Sequence, residues 1–328
     1  MPKTSSESAA SFTRTTLHGP TMGTRWSASV DADSSVDLAA LRQGLAAAAE
    51  QVDGQMSPWK PDSDLMRLNR APVGDWVDLS PEILEVLDCA FEVRRLSAGA
   101  FDPCVGALVD AWGFGAARDA PDAQAIRAAR QSMPQAMNAN LELDRPGGRV
   151  RKQVPLQIDL CGIAKGYAVD RMVHVLQQHG VRHALAALDG ELRAIGGQAG
   201  GAPWAVAIER PETGRRAVHG VLELEDLAVA TSGDYRHYLD VGNARIAHTM
   251  DARRCAPVNN TVASVTVLAR TCMLADAWAT ALLVAGPDEG PVMAQRMGLD
   301  VLFLLRRGEG LTEVGLGRFG TARPRLPG

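Results

Sequence analysis

Asp159-Leu160-Cys161-Gly162-Ile163-Ala164-Lys165-Gly166-Tyr167-Ala168-Val169-Asp170 joins two kinds of local structure. The apolar run 156–160 carries one carboxylate, Asp159, and reads as a buried strand. Two glycines and a lysine follow. Ala168, Val169, Met172, Val173 and Leu176 then recur at the spacing of one helix face. The pattern predicts a strand, a tight turn and a helix. A helix start leaves backbone N–H groups free and carries the positive end of the dipole, which suits a phosphate-bearing ligand. Lys165 adds a mobile positive charge. The same residues also suit a plain glycine turn with a solvated lysine. Gly166 stands where a phosphate loop has Ser or Thr, and the stretch has no G-x-G-x-x-G.

A chain of 328 residues can bury a large core, as one elaborate domain or two modest ones. Its net charge of −4 gives no electrostatic footprint for nucleic acid or an anionic membrane. Cys89, Cys104, Cys161, Cys255 and Cys272 form no C-x-x-C pair, which predicts buried, reduced thiols and no zinc site. Residues 1–20 hold no apolar signal core and no lipid-attachment cysteine, and no stretch is apolar for long enough to span a bilayer. The expectation is a cytoplasmic protein, or a periplasmic one whose leader has been removed.

Residues 1–14, polar and rich in Ser and Thr, are expected to be a disordered tail. A turn at 19–23 precedes a strand through Trp26, Ala28 and Val30. Helices are expected over 38–52, from a Ser63 or Asp64 cap through Leu68, and from Ser80-Pro81 through Phe91. A helix and a hairpin turning at Pro146-Gly147-Gly148 fill 116–155. Strands follow at 184–188, 205–208, 227–230, 262–268 and 301–305, with an apolar helix at 274–284. Strands and helices alternate irregularly, which favours an α+β fold over a doubly wound parallel sheet.

Two polar residues break the helix at 274–284. Asp276 and Thr280 are four apart and share one face among apolar neighbours. Their oxygens, with a carbonyl from another segment, suit Mg²⁺. A dipole-stabilised Asp and a Thr bonding back to its own helix fit the pattern as well. His248, at the end of an apolar strand, is a candidate general base or a structural histidine. Asp102 and Ser232-Gly233-Asp234 read either as ligand contacts or as turn formers. Trp59 and Tyr167 read as stacking platforms or as core.

Taken together these segments resemble the ApbE family of FAD:protein FMN transferases. The landmarks are Thr21-Met22-Gly23-Thr24, Ser57-Pro58-Trp59-Lys60, residues 63–69, Gly99-Ala100-Phe101-Asp102-Pro103, residues 110–115, residues 159–170, Ser232-Gly233-Asp234-Tyr235, His248-Thr249-Met250-Asp251 and residues 275–281. The resemblance runs from about Thr21 to near Leu305. It implies mixed sheets with flanking helices, one domain over 15–328, and an FAD cleft between the two halves.

It also implies Mg²⁺-dependent cleavage of FAD, transfer of FMN to a Thr or Ser hydroxyl of an acceptor flavoprotein, and release of AMP. Asp276, Thr280 and the carbonyl of Gly162 match metal ligands. Met22, Trp59, Phe101, Asp102, Asp159, Lys165 and Met250 match positions lining FAD. His248 matches the histidine that deprotonates the acceptor hydroxyl. The chain departs from the family pattern at Cys161, at Ala279, where some relatives carry a second Asp, and at Asp251-Ala252-Arg253-Arg254-Cys255, where a looser turn is expected. Hydrolysis of FAD to FMN and AMP, or flavin binding without turnover, are the alternative activities.

Overall fold

The computed structural model of the chain describes residues 12–137, 141–212, 214–241, 244–308 and 310–320. Its centre is an eight-stranded sheet of β1 (Thr13–Thr21), β2 (Thr24–Ala32), β3 (Ala184–Leu188), β4 (Glu191–Ile195), β5 (Ala228–Gly233), β6 (Val262–Ala269), β7 (Asp300–Arg307) and β8 (Gly310–Leu316). These strands lie side by side in chain order, each antiparallel to the next. Seven helices accompany them among the described residues: α1 (Leu38–Met56), α2 (Asp64–Arg70), α3 (Pro81–Leu96), α4 (Gly106–Ala111), α5 (Ala123–Met137), α6 (Ala164–Gln178) and α7 (Cys272–Met297). The class is α+β, as the sequence predicts. Every ladder among the described residues is antiparallel, where mixed sheets were expected.

Sequence and burial agree along β6. Seven of its eight residues, Val262 to Leu268, are buried, so the strand is covered on both faces and reads as a continuous apolar run. One face packs on α7, where Val265 and Val267 share a core with Ala277 and Leu282. The other is covered by a two-stranded hairpin, Trp204–Glu209 and Val218–Leu224, whose Trp204, Val206 and Leu224 meet Val229 and Leu268.

Several elements differ from expectation. β1 begins at Thr13, inside the segment expected to lack order, and residues 1–11 lie outside the described residues. Gly19 and Pro20 belong to this strand. The turn is instead Met22-Gly23, with φ of +46° and +69°, a two-residue hairpin of the kind that matches strand twist. Residues 156–160 form no strand, although Leu156, Ile158 and Leu160 are buried. Their backbone groups are taken elsewhere. The Asn69 side chain accepts from Ile158 N at 2.7 Å and donates to its carbonyl at 2.9 Å, and Asp159 N donates to the Pro103 carbonyl at 2.8 Å. The helix expected at 274–284 extends over Cys272–Met297, with a kink at Gly286, where φ is +82°. Strands β4 and β8 were not foreseen.

Helices α6 and α7 cap each other. Asp170, on α6, accepts from the backbone N–H groups of Cys272 and Met273 at 2.9 Å each, and Arg193 donates to it at 2.6 Å. Thr271 caps the next free group of α7, Leu274 N, at 3.4 Å. In return Asp276, on α7, accepts from Gly166 N in the first turn of α6 at 3.0 Å. Each carboxylate sits at the positive end of the other helix and satisfies donors that a helix start leaves unpaired. Only glycine permits this approach. A Cβ on Gly166 would overlap the Cys272 carbonyl and stand 2.8 Å from the Asp276 Cβ.

Asp170→Ala is therefore expected to destabilise the protein by about 3 kcal/mol, since it strands two helix N–H groups and the Arg193 guanidinium. Denaturant unfolding with an unchanged slope measures this; a loss under about 1 kcal/mol would contradict the mutual capping.

Candidate active site

One cleft of about 1180 Å³ brings together every residue that the family resemblance assigns to flavin, metal or base. Met22, Trp59, Phe101, Asp102, Asp159, Gly162, Lys165, His248, Met250, Asp276 and Thr280 all line it. They come from the β1–β2 turn, the loop after α1, the segment before α4, the entry to α6, the strands near 250 and the first turns of α7. Tyr167 is not among them. It is buried, and its hydroxyl donates to Glu85 at 3.0 Å, so it belongs to the core.

The metal candidates form an oxygen cluster. The Thr280 and Ser232 hydroxyls are 3.1 Å apart. Gly162 lies against them: a Cβ placed there would stand 3.1 Å from Thr280 Oγ1 and 3.3 Å from the Phe101 ring. Asp276 sits one turn before Thr280 and is buried. Burial pushes its carboxyl up to about 7; Glu191 adds to the rise, while Lys165 opposes it. A buried carboxylate of that kind is returned to its charged form by a nearby cation. The donor set is all oxygen with one carboxylate, which fits Mg²⁺. Among the described residues, no group of three or more His, Cys, Asp and Glu side chains offers a competing metal site.

Lys165 reaches into the cleft from the first turn of α6. Its ammonium is 2.8 Å from Glu191 Oε1 and 3.8 Å from Asp189 Oδ2. Burial favours its neutral form, but Glu191 and Asp276 outweigh this and hold its pKa above the ordinary lysine value. Of the N–H groups at this helix start, Gly166 N is taken by Asp276.

His248 donates from Nδ1 to the His237 carbonyl at 2.9 Å, the assignment that a carbonyl acceptor requires. That leaves Nε2 with a lone pair. Burial lowers the ring's pKa to about 4, against the raising effect of the His237 carbonyl, so the imidazole is neutral near pH 7. His237 and Phe114 meet its ring edge to face, at 5.4 and 6.4 Å between centroids.

Two acidic candidates have structural partners. Asp102 Oδ1 accepts from Cys104 N at 2.9 Å, and Oδ2 lies 3.2 Å from Arg94 Nε. Asp159 Oδ1 accepts from Cys161 N at 2.7 Å. Both carboxyls are pushed above the usual range by burial. Asp234 pairs in two places with Arg306, at 2.6 and 2.8 Å, which anchors the 232–234 turn. Trp59 is 59% exposed at the rim, where a flat ring can stack on it.

The turn at 251–255 is tighter than its sequence suggested. Asp251 Oδ1 accepts from Arg253 N at 3.0 Å, and Arg253 reaches Glu289 at 2.9 Å and the Val284 carbonyl at 3.5 Å, tying the turn to α7. Cys161 is exposed, against the expectation of buried thiols; Cys104 and Cys272 are buried. No described helix is long and apolar enough to cross a membrane.

Glu191, Asp189 and Arg236 also line the cleft and were missed. The signal was present: Asp189-Gly190 is a hairpin dipeptide after an apolar run, and a second strand should follow it. Asp170 and Arg193 carried no such signal, because their partners are remote in sequence.

Comparisons with known proteins follow this geometry. The ApbE family model matches residues 22–303. The chain is 35% identical over 301 residues to a protein of Vibrio cholerae serotype O1 named FAD:protein FMN transferase, covering 90% of this chain and 89% of that one. The solved flavin transferase ApbE from Vibrio cholerae superposes with a TM-score of 0.84 at 33% identity, covering 94% of this chain and 99% of that one. The apo form of Pseudomonas stutzeri flavinyl transferase ApbE gives 0.81 at 33% identity, covering 93% and 95%. With its matched segment running from the β1–β2 turn into β7, the chain belongs to the ApbE family.

Proposed function

We propose that this chain transfers FMN from FAD to a Thr or Ser hydroxyl of an acceptor protein and releases AMP. One observation carries the reading. A buried carboxylate, two neighbouring hydroxyls, a lysine and a neutral histidine converge in one cleft large enough for a dinucleotide. The fold and the named relatives support the same reaction. Residues 15–328 act as one unit in this reading.

Met22, Trp59, Phe101 and Met250 would hold the flat apolar parts of FAD. Lys165 would face its pyrophosphate. Asp102 and Asp159 would shape that wall through the turns they cap. Asp276, Thr280 and the Gly162 carbonyl would hold Mg²⁺. The ion would neutralise pyrophosphate charge and stabilise the departing phosphate. His248 Nε2 would accept the proton of the acceptor hydroxyl as its oxygen bonds to the FMN phosphorus and the bond to the AMP oxygen breaks. A ring held neutral by burial is ready to accept at pH 7, and its low basicity lets the proton leave again.

Incubation with FAD, Mg²⁺ and an acceptor protein tests the proposal. The expected result is an acceptor heavier by one FMN, with AMP in equal amount. AMP and free FMN without the adduct would favour hydrolysis, and neither product would favour a flavin binder.

Asp276→Ala is expected to lower turnover at least about a thousandfold, while FAD still binds measurably. Full activity would remove Asp276 from the metal site. His248→Ala is expected to slow transfer by roughly a hundredfold or more, with a smaller effect on FAD affinity. With Mg²⁺ saturating, the wild-type acid limb should not fall at the ordinary histidine value near 6.5. Protonation abolishes the base only below its folded pKa, so His248 should stay active down to the region of pH 4. A limb at 6.5 that disappears in His248→Ala would contradict the lowered pKa.

A further inference from the structure

Glu191 opens β4 directly after the two-residue turn Asp189-Gly190, paired with Leu188 across it. Asp189 has φ of +56°, a left-handed conformation that Asp tolerates better than most residues. The turn delivers Glu191 to the floor of the cleft, where it is only 2% exposed. A carboxylate so buried needs donors. It has two: Gly190 N at 3.2 Å and the Lys165 ammonium at 2.8 Å.

The rest of this wall draws the competing charge away. Asp189 is 3.8 Å from Lys165 but receives Arg236 at 3.3 Å, and Arg236 is also bound to Glu209. Glu191 is thus the nearer anchor for Lys165. A lysine side chain is long and flexible, and its ammonium has three donors. With one donor fixed on Glu191, the ammonium is held at the floor of the cleft and the others remain for a ligand.

We propose that Glu191 is a positioning residue that holds the Lys165 ammonium toward the pyrophosphate of FAD, an inference that rests on the flavin-transfer reading. Glu191 acts through Lys165, and the sign of its effect separates this from a simple charge effect. A buried negative charge near an anion opposes binding. Its removal by itself should tighten FAD binding. Removal of an anchor should weaken it, and only while Lys165 is present.

A double-mutant cycle tests this. FAD affinity is measured by equilibrium titration in EDTA for the wild type, Glu191→Gln, Lys165→Met and the double variant, with melting curves to confirm folding. Glu191→Gln keeps the size of the side chain and an acceptor for Gly190 N. It is expected to weaken FAD binding at least about threefold in the presence of Lys165, and to leave it unchanged or tighter in the Lys165→Met background. At saturating FAD and Mg²⁺ it should also lower kcat about tenfold or more, while KM for acceptor changes little. Equal effects in both backgrounds, or tighter binding in both, would overturn the proposal. The affinity cycle needs no turnover. A protein that binds FAD yet labels no acceptor would sink the transferase reading and leave this inference to be judged by the affinities.

Discussion

The mutual capping of α6 and α7 is the contact on which the site depends. Asp170 satisfies the start of α7, and Asp276 satisfies the start of α6. The two helices can exchange carboxylates in this way only because Gly166 lets their backbones meet. Once the crossing is fixed, Asp276 must stand beside the Gly162–Lys165 turn. Thr280 follows one turn later and reaches Ser232 at the end of β5. A helix start, a glycine turn and a strand end thereby become one oxygen-rich wall.

Charge is balanced along that wall at short range. Glu191 and Asp276 are both buried acids; burial raises the cost of ionising each, and Glu191 raises it further for Asp276. Lys165 lowers that cost for both. One cation for two acids leaves the floor of the cleft favourable to a further positive ion. His248, which lines the same cleft, is kept neutral by burial and oriented by a carbonyl. The proposed metal ligands and the proposed base are thus distinguished by their surroundings.

Local pattern made part of this legible. Helix α6 followed from its spacing, α2 and α3 from the capping residues at their starts, and Asp276 from being a carboxylate on an apolar helix. The resemblance supplied the FAD positions, and all of those residues line one cleft. The remainder depends on contacts between distant segments. The apolar run over 156–160 suggested a strand, but Asn69 and Pro103 take the backbone groups that a ladder would use. Gly166 read as a turn former and proved to be the point of closest helix approach. Asp170 carried no reading of its own, since nothing near it in sequence reveals Cys272 or Arg193 as its partners. Glu191 was visible only as the residue after a turn.

The most direct measurement is FAD affinity of Gly166→Ala with and without Mg²⁺. Forcing the helices apart should move Asp276 away from the Gly162–Lys165 turn without removing any proposed ligand. The account predicts that the gain in affinity that Mg²⁺ gives the wild type is lost in the variant, while metal-free binding is largely retained. A Gly166→Ala protein that keeps the full Mg²⁺-dependent gain would contradict the claim that the close α6–α7 crossing builds the site.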